Sequence, residues 1–282
     1  MGFWGSIGSA ISSCVSGVCS CVSRVCGAVT GFASRAVSSF CSAIGIKATG
    51  FMGLMRGFIA GPLGPVFGPI IGKLMLNVAV KIVEKLAKML GIIKEDDKTE
   101  ELGYRLDEAN KDENKHWKQR NDFNTLEEYY AYLKKQIPDD KIDREALRRD
   151  KDYYALLGMM AEVDSLEDSL RIKLPETFLM EAGKSRMTPD EIRAFADAFR
   201  GLGYDAVEVQ DYFQGRMPLG EAKRITEALV ESLGKYCPNM SEDEIYARLG
   251  KMQAIARDDD MLKEVYKKEL QEIAEKKQVP EV

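Results

Sequence analysis

Residues 50–72 read GFMGLMRGFIAGPLGPVFGPIIG, with glycine in two ladders at intervals of four residues. Four residues is close to one helical turn, so each ladder would give a helix one face without side chains. In lipid such a face lets two helix backbones approach closely, whereas in water the glycines disfavour a helix. We therefore predict a membrane-inserting or helix-packing segment that self-associates. Its site residues are Gly53, Gly57, Gly61, Gly64, Gly68, Gly72, Phe58 and Phe67.

Three prolines interrupt this stretch, and a basic helix is predicted after them. Pro62, Pro65 and Pro69 each lack a backbone donor, so we expect a turn or kink between two short packing faces, as in a hairpin. Residues 70–93 then read IIGKLMLNVAVKIVEKLAKMLGII, a helical pattern with one basic face. We interpret it as an amphipathic helix on a bilayer surface; the alternative is a buried helical hairpin in a soluble domain. The predicted lipid-facing residues are Lys73, Lys81, Lys85 and Lys88.

Residues 3–44 also carry a two-faced helical pattern. Apolar residues from Trp4 to Ile44 recur at steps of three and four, and serines recur at the same steps on the opposite face. A hydroxyl face suits a wet channel, a contact with another helix or a lipid interface. A flexible serine- and glycine-rich linker and a coiled coil are the alternatives. Five of the six cysteines lie in the first 41 residues, and we interpret them as small apolar residues on a helix face.

The charge of the chain is divided between two unlike regions. Residues 1–94 contain nine basic residues and one acidic residue, a net charge of +8, while the remainder has a net charge of −13. A basic, apolar region suits an anionic bilayer, and an acidic region disfavours nucleic acid as a partner. We predict a basic glycine- and serine-rich membrane-active region at 1–94. A polar linker or solvated helix follows at 95–122, and an acidic all-α domain at 123–282.

Local signals in the acidic region predict helices throughout, so the fold class is all-α. Thr125, Thr188 and Ser241 each precede a glutamate by three residues, the spacing of a helix-capping box. Apolar spacing predicts helices at 125–137, 143–170, 175–182, 189–200, 206–214, 221–235, 242–256 and 260–276. Helix ends are predicted at Gly201, Gly203, Gly215 and Gly234.

Motifs for catalysis or metal binding do not occur in the sequence. There is no G-x-S-x-G, no phosphate-binding loop and no H-E-x-x-H motif. The single histidine, His116, has no neighbouring nucleophile, and the acidic clusters lack the spacing of a calcium-binding loop. We therefore predict no catalytic residue, no cofactor and no metal site.

The two glycine ladders resemble the glycine zippers of membrane-active bacterial toxins and secreted effectors, those of type VI and related contact-dependent systems being the nearest comparison. The resemblance covers about a quarter of the chain, and the prolines depart from a simple zipper. It implies a membrane-inserting, pore-forming protein that forms homo-oligomers. A chaperone, carrier or immunity protein would be a further partner, with the acidic domain serving solubility, docking or delivery.

The predicted route is synthesis in the cytoplasm, followed by secretion or delivery to a target membrane, because no secretory signal is evident at the N-terminus. Two alternatives from other functional classes remain open. The chain could be a self-assembling structural component of a phage or secretion apparatus. It could also be an effector whose acidic domain is an enzyme and whose N-terminus crosses the membrane.

Overall fold

A computed structural model of the protein describes residues 64–204 and 207–276. These residues form twelve α-helices and three short 3-10 turns, with no β-strand among them, which confirms the all-α fold class for this part of the chain. The helices are α1 Gly64–Met89, α2 Thr99–Ala109, α3 Leu126–Gln136, α4 Arg144–Arg149, α5 Lys151–Leu170 and α6 Glu176–Ser185. They continue with α7 Pro189–Leu202, α8 Val207–Gln214, α9 Leu219–Tyr236, α10 Glu242–Arg257, α11 Asp259–Val265 and α12 Lys267–Lys276.

Helix α1 is the first described element, and it begins earlier than the basic pattern at 70–93 indicates. It starts at Gly64, so Pro65 lies in the first turn, where a missing N–H removes no intrahelical hydrogen bond. Pro69 lies inside the helix and does not end it. At the other end Gly91 has a φ of +69°. The N–H of Gly91 donates to Lys88, and that of Ile92 donates to Ala87, the pairing that closes a helix at a left-handed glycine.

The three predicted capping residues, Thr125, Thr188 and Ser241, each lie at a helix start. Thr188 and Ser241 form complete capping boxes with Glu191 and Glu244. Thr125 caps α3 by accepting a hydrogen bond from the N–H of Glu128, but the Glu128 carboxylate accepts from Asn124 instead of from Thr125.

The predicted helix ends are partly wrong. Gly203 and Gly215 have positive φ and follow α7 and α8, as predicted. Gly201 and Gly234 lie inside α7 and α9, because both helices continue for a few residues before they end. The predicted helix at 143–170 divides at Asp150 into α4 and α5, and the one at 260–276 divides at Tyr266 into α11 and α12.

Helix α2 lies in the range 95–122, for which the charged composition indicates a polar linker or a solvated helix. Its residues Leu102, Tyr104 and Leu106 are buried, and it packs along α5 more extensively than any other described pair of helices. Short 3-10 turns and exposed loop residues follow it as far as residue 125.

Helix α1 lies between two groups of helices. On one side it packs against α5, which also contacts α2, α3 and α4. On the other it packs against α6 and α7, which contact most of the later helices. Eight large apolar side chains of α1 are buried there: Ile70, Ile71, Met75, Leu76, Val80, Ile82, Val83 and Leu86. Burying one such side chain contributes about 1.5–3 kcal/mol. The gross contribution of these eight side chains is about 12–24 kcal/mol, which is offset in part by the conformational entropy lost when the helix is ordered.

Candidate functional site

The predicted site residues fall on both sides of the first described residue. Gly53, Gly57, Gly61 and Phe58 lie outside the described residues. Gly64, Phe67, Gly68 and Gly72 lie in the first turns of α1, where Gly72 is buried. The four predicted lysines also lie on α1, so this helix is the part of the predicted membrane site whose geometry is known.

The four lysines of α1 differ in their surroundings. Lys81 and Lys85 are exposed and form no ion pair with any described residue. The side chain of Lys73 is 44% exposed, and its Nζ lies 2.7 Å from Asp152 of α5. Lys88 is only 14% exposed, and its Nζ donates to Oε1 of Glu84 at 2.7 Å. The outward cationic surface therefore consists of Lys73, Lys81 and Lys85, which we call the lysine stripe, while Lys88 is held within the fold.

The opposite face of α1 meets protein. Met75, Ala79 and Val83 follow one another at helical spacing and are each at most 1% exposed. Helix α6 approaches the backbone of α1 at Gly183, where an added Cβ would lie 2.9 Å from the carbonyl oxygen of Met75. The amphipathic pattern that indicated a lipid surface is thus satisfied on its apolar side by α5, α6 and α7.

A buried polar cluster ties α1 to α2 and α5. Glu162 of α5 is fully buried, and its Oε1 accepts a hydrogen bond from Oγ1 of Thr99 at 2.8 Å. The same hydroxyl lies 3.1 Å from Oε2 of Glu84, which is bound to Lys88 through its other oxygen. Burial raises the pKa of Glu162 well above its usual range, although the hydrogen bond from Thr99 opposes this. Burial therefore favours the protonated, neutral form of Glu162.

Two glycines place α2 directly on the backbone of α5. A Cβ on Gly103 would lie 1.8 Å from the carbonyl oxygen of Tyr154, and one on Gly158 would lie 1.9 Å from that of Thr99. Neither position accepts a larger side chain without separating the helices.

A buried arginine completes the packing of α2. The Arg105 side chain is fully buried, its Nε donates to the carbonyl oxygen of Ile137 at 2.9 Å, and it pairs with Asp139. Its guanidinium also lies 5.6 Å from the ring centre of Tyr130. Sequence reasoning missed this residue because Tyr130, Ile137 and Asp139 are more than 20 positions away in the sequence.

An open cleft with a volume of about 650 Å³ lies beside the C-terminal ends of α5 and α7. Three of its charged residues, Glu167, Lys173 and Arg200, already have partners within the fold. Glu167 binds Lys173 and the N–H of Leu174, and Arg200 donates to the carbonyl oxygen of Leu170. Among the described residues no group of three or more histidine, cysteine or acidic side chains could hold a metal ion. The cleft therefore indicates no chemistry.

The described helices do not include one that is both long enough and apolar enough to cross a membrane. In α1 the obstacle is charge, because a lysine at the centre of a bilayer costs about 2.5–3.5 kcal/mol and the helix carries four lysines and Glu84.

Comparisons of the chain with protein-family models, with curated proteins and with solved structures found no match. Its function is therefore inferred from its own residues and their geometry.

Proposed function

We propose that the protein is membrane-active, with a basic N-terminal region that acts on an anionic bilayer and a helical domain that carries this region. The observation that supports the proposal most directly is the lysine stripe on α1. Two of its residues, Lys81 and Lys85, are exposed and unpaired within the described residues. The stripe continues the charge of residues 1–63, whose charged residues are all basic: Arg24, Arg35, Lys47 and Arg56.

An anionic bilayer fits this region better than nucleic acid does. The basic residues of 1–94 stand among apolar residues and glycines, and a lipid surface accepts both the positive charge and the apolar side chains.

We assign the contact between copies of the chain to the glycine ladders. Gly53, Gly57 and Gly61 would allow close helix packing in lipid, and the serine face of residues 3–44 would then turn toward water. The resulting assembly would be a pore, and the protein a secreted effector. The acidic domain would keep the chain in solution and dock a carrier, chaperone or immunity protein.

Dye release from vesicles tests the proposal. The full chain is added to vesicles made of equal parts phosphatidylglycerol and phosphatidylcholine, and to vesicles of phosphatidylcholine alone. We expect release from the anionic vesicles and little from the neutral ones, because the basic region binds the surface through charge. Gly57→Leu/Gly61→Leu should reduce release by at least about tenfold, since leucine separates the packed backbones.

The matched control replaces two glycines with leucine where a side chain has room. Gly234 and Gly250 lie on exposed helix surfaces, and an added Cβ at either meets no atom within 4 Å. Gly234→Leu/Gly250→Leu should release dye as the wild type does. Equal release by both double variants would contradict a role for the ladder. A wild-type chain that sediments as a discrete oligomer and ignores vesicles would instead identify an assembly protein.

A further inference from the structure

Helix α1 carries the lysine stripe and is also the link between the two groups of helices. We infer that α1 stays in its groove when the protein meets a membrane and presents the lysine stripe to anionic lipid headgroups. The residues before α1, and not α1 itself, would then be the part that enters lipid. This inference rests on the proposed function and specifies which segment performs which step.

The burial of α1 argues that it does not leave the domain. Its apolar face is shared between α5 on one side and α6 and α7 on the other. Removing it would expose both of those surfaces together with its own eight buried apolar side chains. The polar cluster of Thr99, Glu162 and Glu84 would be opened as well.

Lipid would not compensate for that loss. A released α1 could keep its lysines at the interface and lay its own apolar face on lipid, but the apolar faces of α5, α6 and α7 that it had covered would remain exposed. In the docked state the same lysines can contact headgroups without leaving water.

The position of α1 in the chain makes headgroups the fitting partner for the stripe. The 63 residues before α1 are basic and apolar, and they join the domain at the first turn of this helix. A bilayer that holds those residues is therefore brought close to α1. Lys81 and Lys85 offer charge to it, and the half-buried Leu74 and Val78 lie on the same side of the helix.

Hydrogen exchange on the wild-type chain tests whether α1 stays docked. Exchange is measured for the protein alone and for the protein bound to the phosphatidylglycerol-containing vesicles. We expect the amides of residues 75–89 to change by less than about threefold, because a docked helix opens only with its domain. Exchange that becomes more than about tenfold faster in α1, and with it in α5 and α6, would overturn the inference.

A disulfide lock gives a second test. A Cβ at Gly183 would lie 3.5 Å from the Cβ of Met75, within the range of a disulfide. Met75→Cys/Gly183→Cys is made in a chain whose six native cysteines are serine, and bond formation is checked by mass. We expect the oxidised and reduced forms to release dye at the same rate. Release that occurs only after reduction would show that α1 must leave.

The lysine stripe is tested by vesicle binding. Lys81→Gln/Lys85→Gln should weaken binding by about 30-fold, since each basic residue near an anionic surface contributes about a factor of five. The control, Lys223→Gln/Lys251→Gln, removes the same charge from exposed positions on α9 and α10 and should change binding by less than about threefold. Equal effects of the two variants would overturn the assignment of the headgroup surface to α1.

The outcomes separate this inference from the function on which it rests. If the wild-type chain neither binds nor permeabilises vesicles, the proposed function fails. If the wild type permeabilises them but the oxidised Met75→Cys/Gly183→Cys variant does not, the proposed function is supported and the docked role of α1 is wrong.

Discussion

Helices α1 and α2 pack against the same helix, α5, through different kinds of surface. Helix α2 meets α5 backbone to backbone, at Gly103 and Gly158. Helix α1 meets its neighbours mainly through large apolar side chains such as Met75 and Leu86, with one closer approach at Gly183 of α6. The glycines that bring described helices together are thus isolated residues within helices. The first of the two glycine ladders, Gly53 to Gly61, lies outside the described part of the chain.

The largest expected effect on stability comes from adding a side chain at the glycine contacts of α2 and α1. Gly158→Ala would put a Cβ 1.9 Å from the carbonyl oxygen of Thr99, whereas Gly183→Ala would put one 2.9 Å from that of Met75. Both contacts are with backbone, so both require the helices to move, but the movement is much larger at Gly158 than at Gly183. We expect Gly158→Ala to lower the free energy of unfolding by about 3 kcal/mol or more, and Gly183→Ala by about 1 kcal/mol or less. Urea denaturation measures both.

A third alanine serves as the control. Gly250 lies in α10, and a Cβ there would meet nothing within 4 Å. Gly250→Ala should raise stability by about 0.5–1 kcal/mol, the usual gain from glycine to alanine inside a helix. If Gly158→Ala were as harmless as Gly250→Ala, the close crossing of α2 and α5 would be wrong.

Both ends of α7 were predictable because their causes are local. Thr188 and Glu191 lie three residues apart and satisfy the first free amides of α7 whatever packs on that helix. Gly203 ends the same helix through its own positive φ. Helix α2 differs, because burial of Arg105 depends on the carbonyl oxygen of Ile137 and on Asp139, groups distant in the sequence. Charge alone therefore suggested solvent.

The candidate site, too, was predictable from the sequence only where its causes are local. The spacing of the lysines on α1 follows from the sequence, and so does the pairing of Lys88 with Glu84, which is four residues earlier. The sequence does not show what covers the apolar face of α1, because an amphipathic pattern is the same for a helix on lipid and for a helix on protein. The groove formed by α5, α6 and α7 supplies that missing information.

An intermediate effect is expected at the polar cluster that joins α1, α2 and α5. Burial raises the folded-state pKa of Glu162 above 4.5, its ordinary value, so the folded protein holds the proton more tightly than the unfolded chain. Stability therefore falls as pH rises from about 4.5 through the folded pKa. Glu162→Gln removes this loss and should stabilise the protein at pH 8 by an amount on the order of 1 kcal/mol.

The pH dependence separates this effect from simple repacking. The advantage of Glu162→Gln should shrink toward pH 4, where the native carboxyl group is protonated in both states. The charged groups that influence Glu162 are Glu84, Lys88 and Asp97, and they remain in the variant. Thermal melts from pH 4 to pH 9 measure the difference, with the exposed Glu227→Gln as a flat control. A constant difference across this range would show that ionisation of Glu162 is not involved. Because stability falls as pH rises, protonation of Glu162 at low pH stabilises the fold and does not release α1.

The smallest effect distinguishes the inward lysine of α1 from the outward ones. Lys88→Met removes a partly buried ion pair and leaves Glu84 beside Thr99 without its cation, so we expect a loss of about 0.5–1 kcal/mol. Lys85→Met removes an exposed lysine with no ion pair among the described residues, and stability should change by less than about 0.3 kcal/mol. The order should reverse for vesicle binding, which Lys85→Met weakens and Lys88→Met leaves nearly unchanged. If both variants lose binding equally, Lys88 must face lipid, and α1 must leave its groove to bring it there.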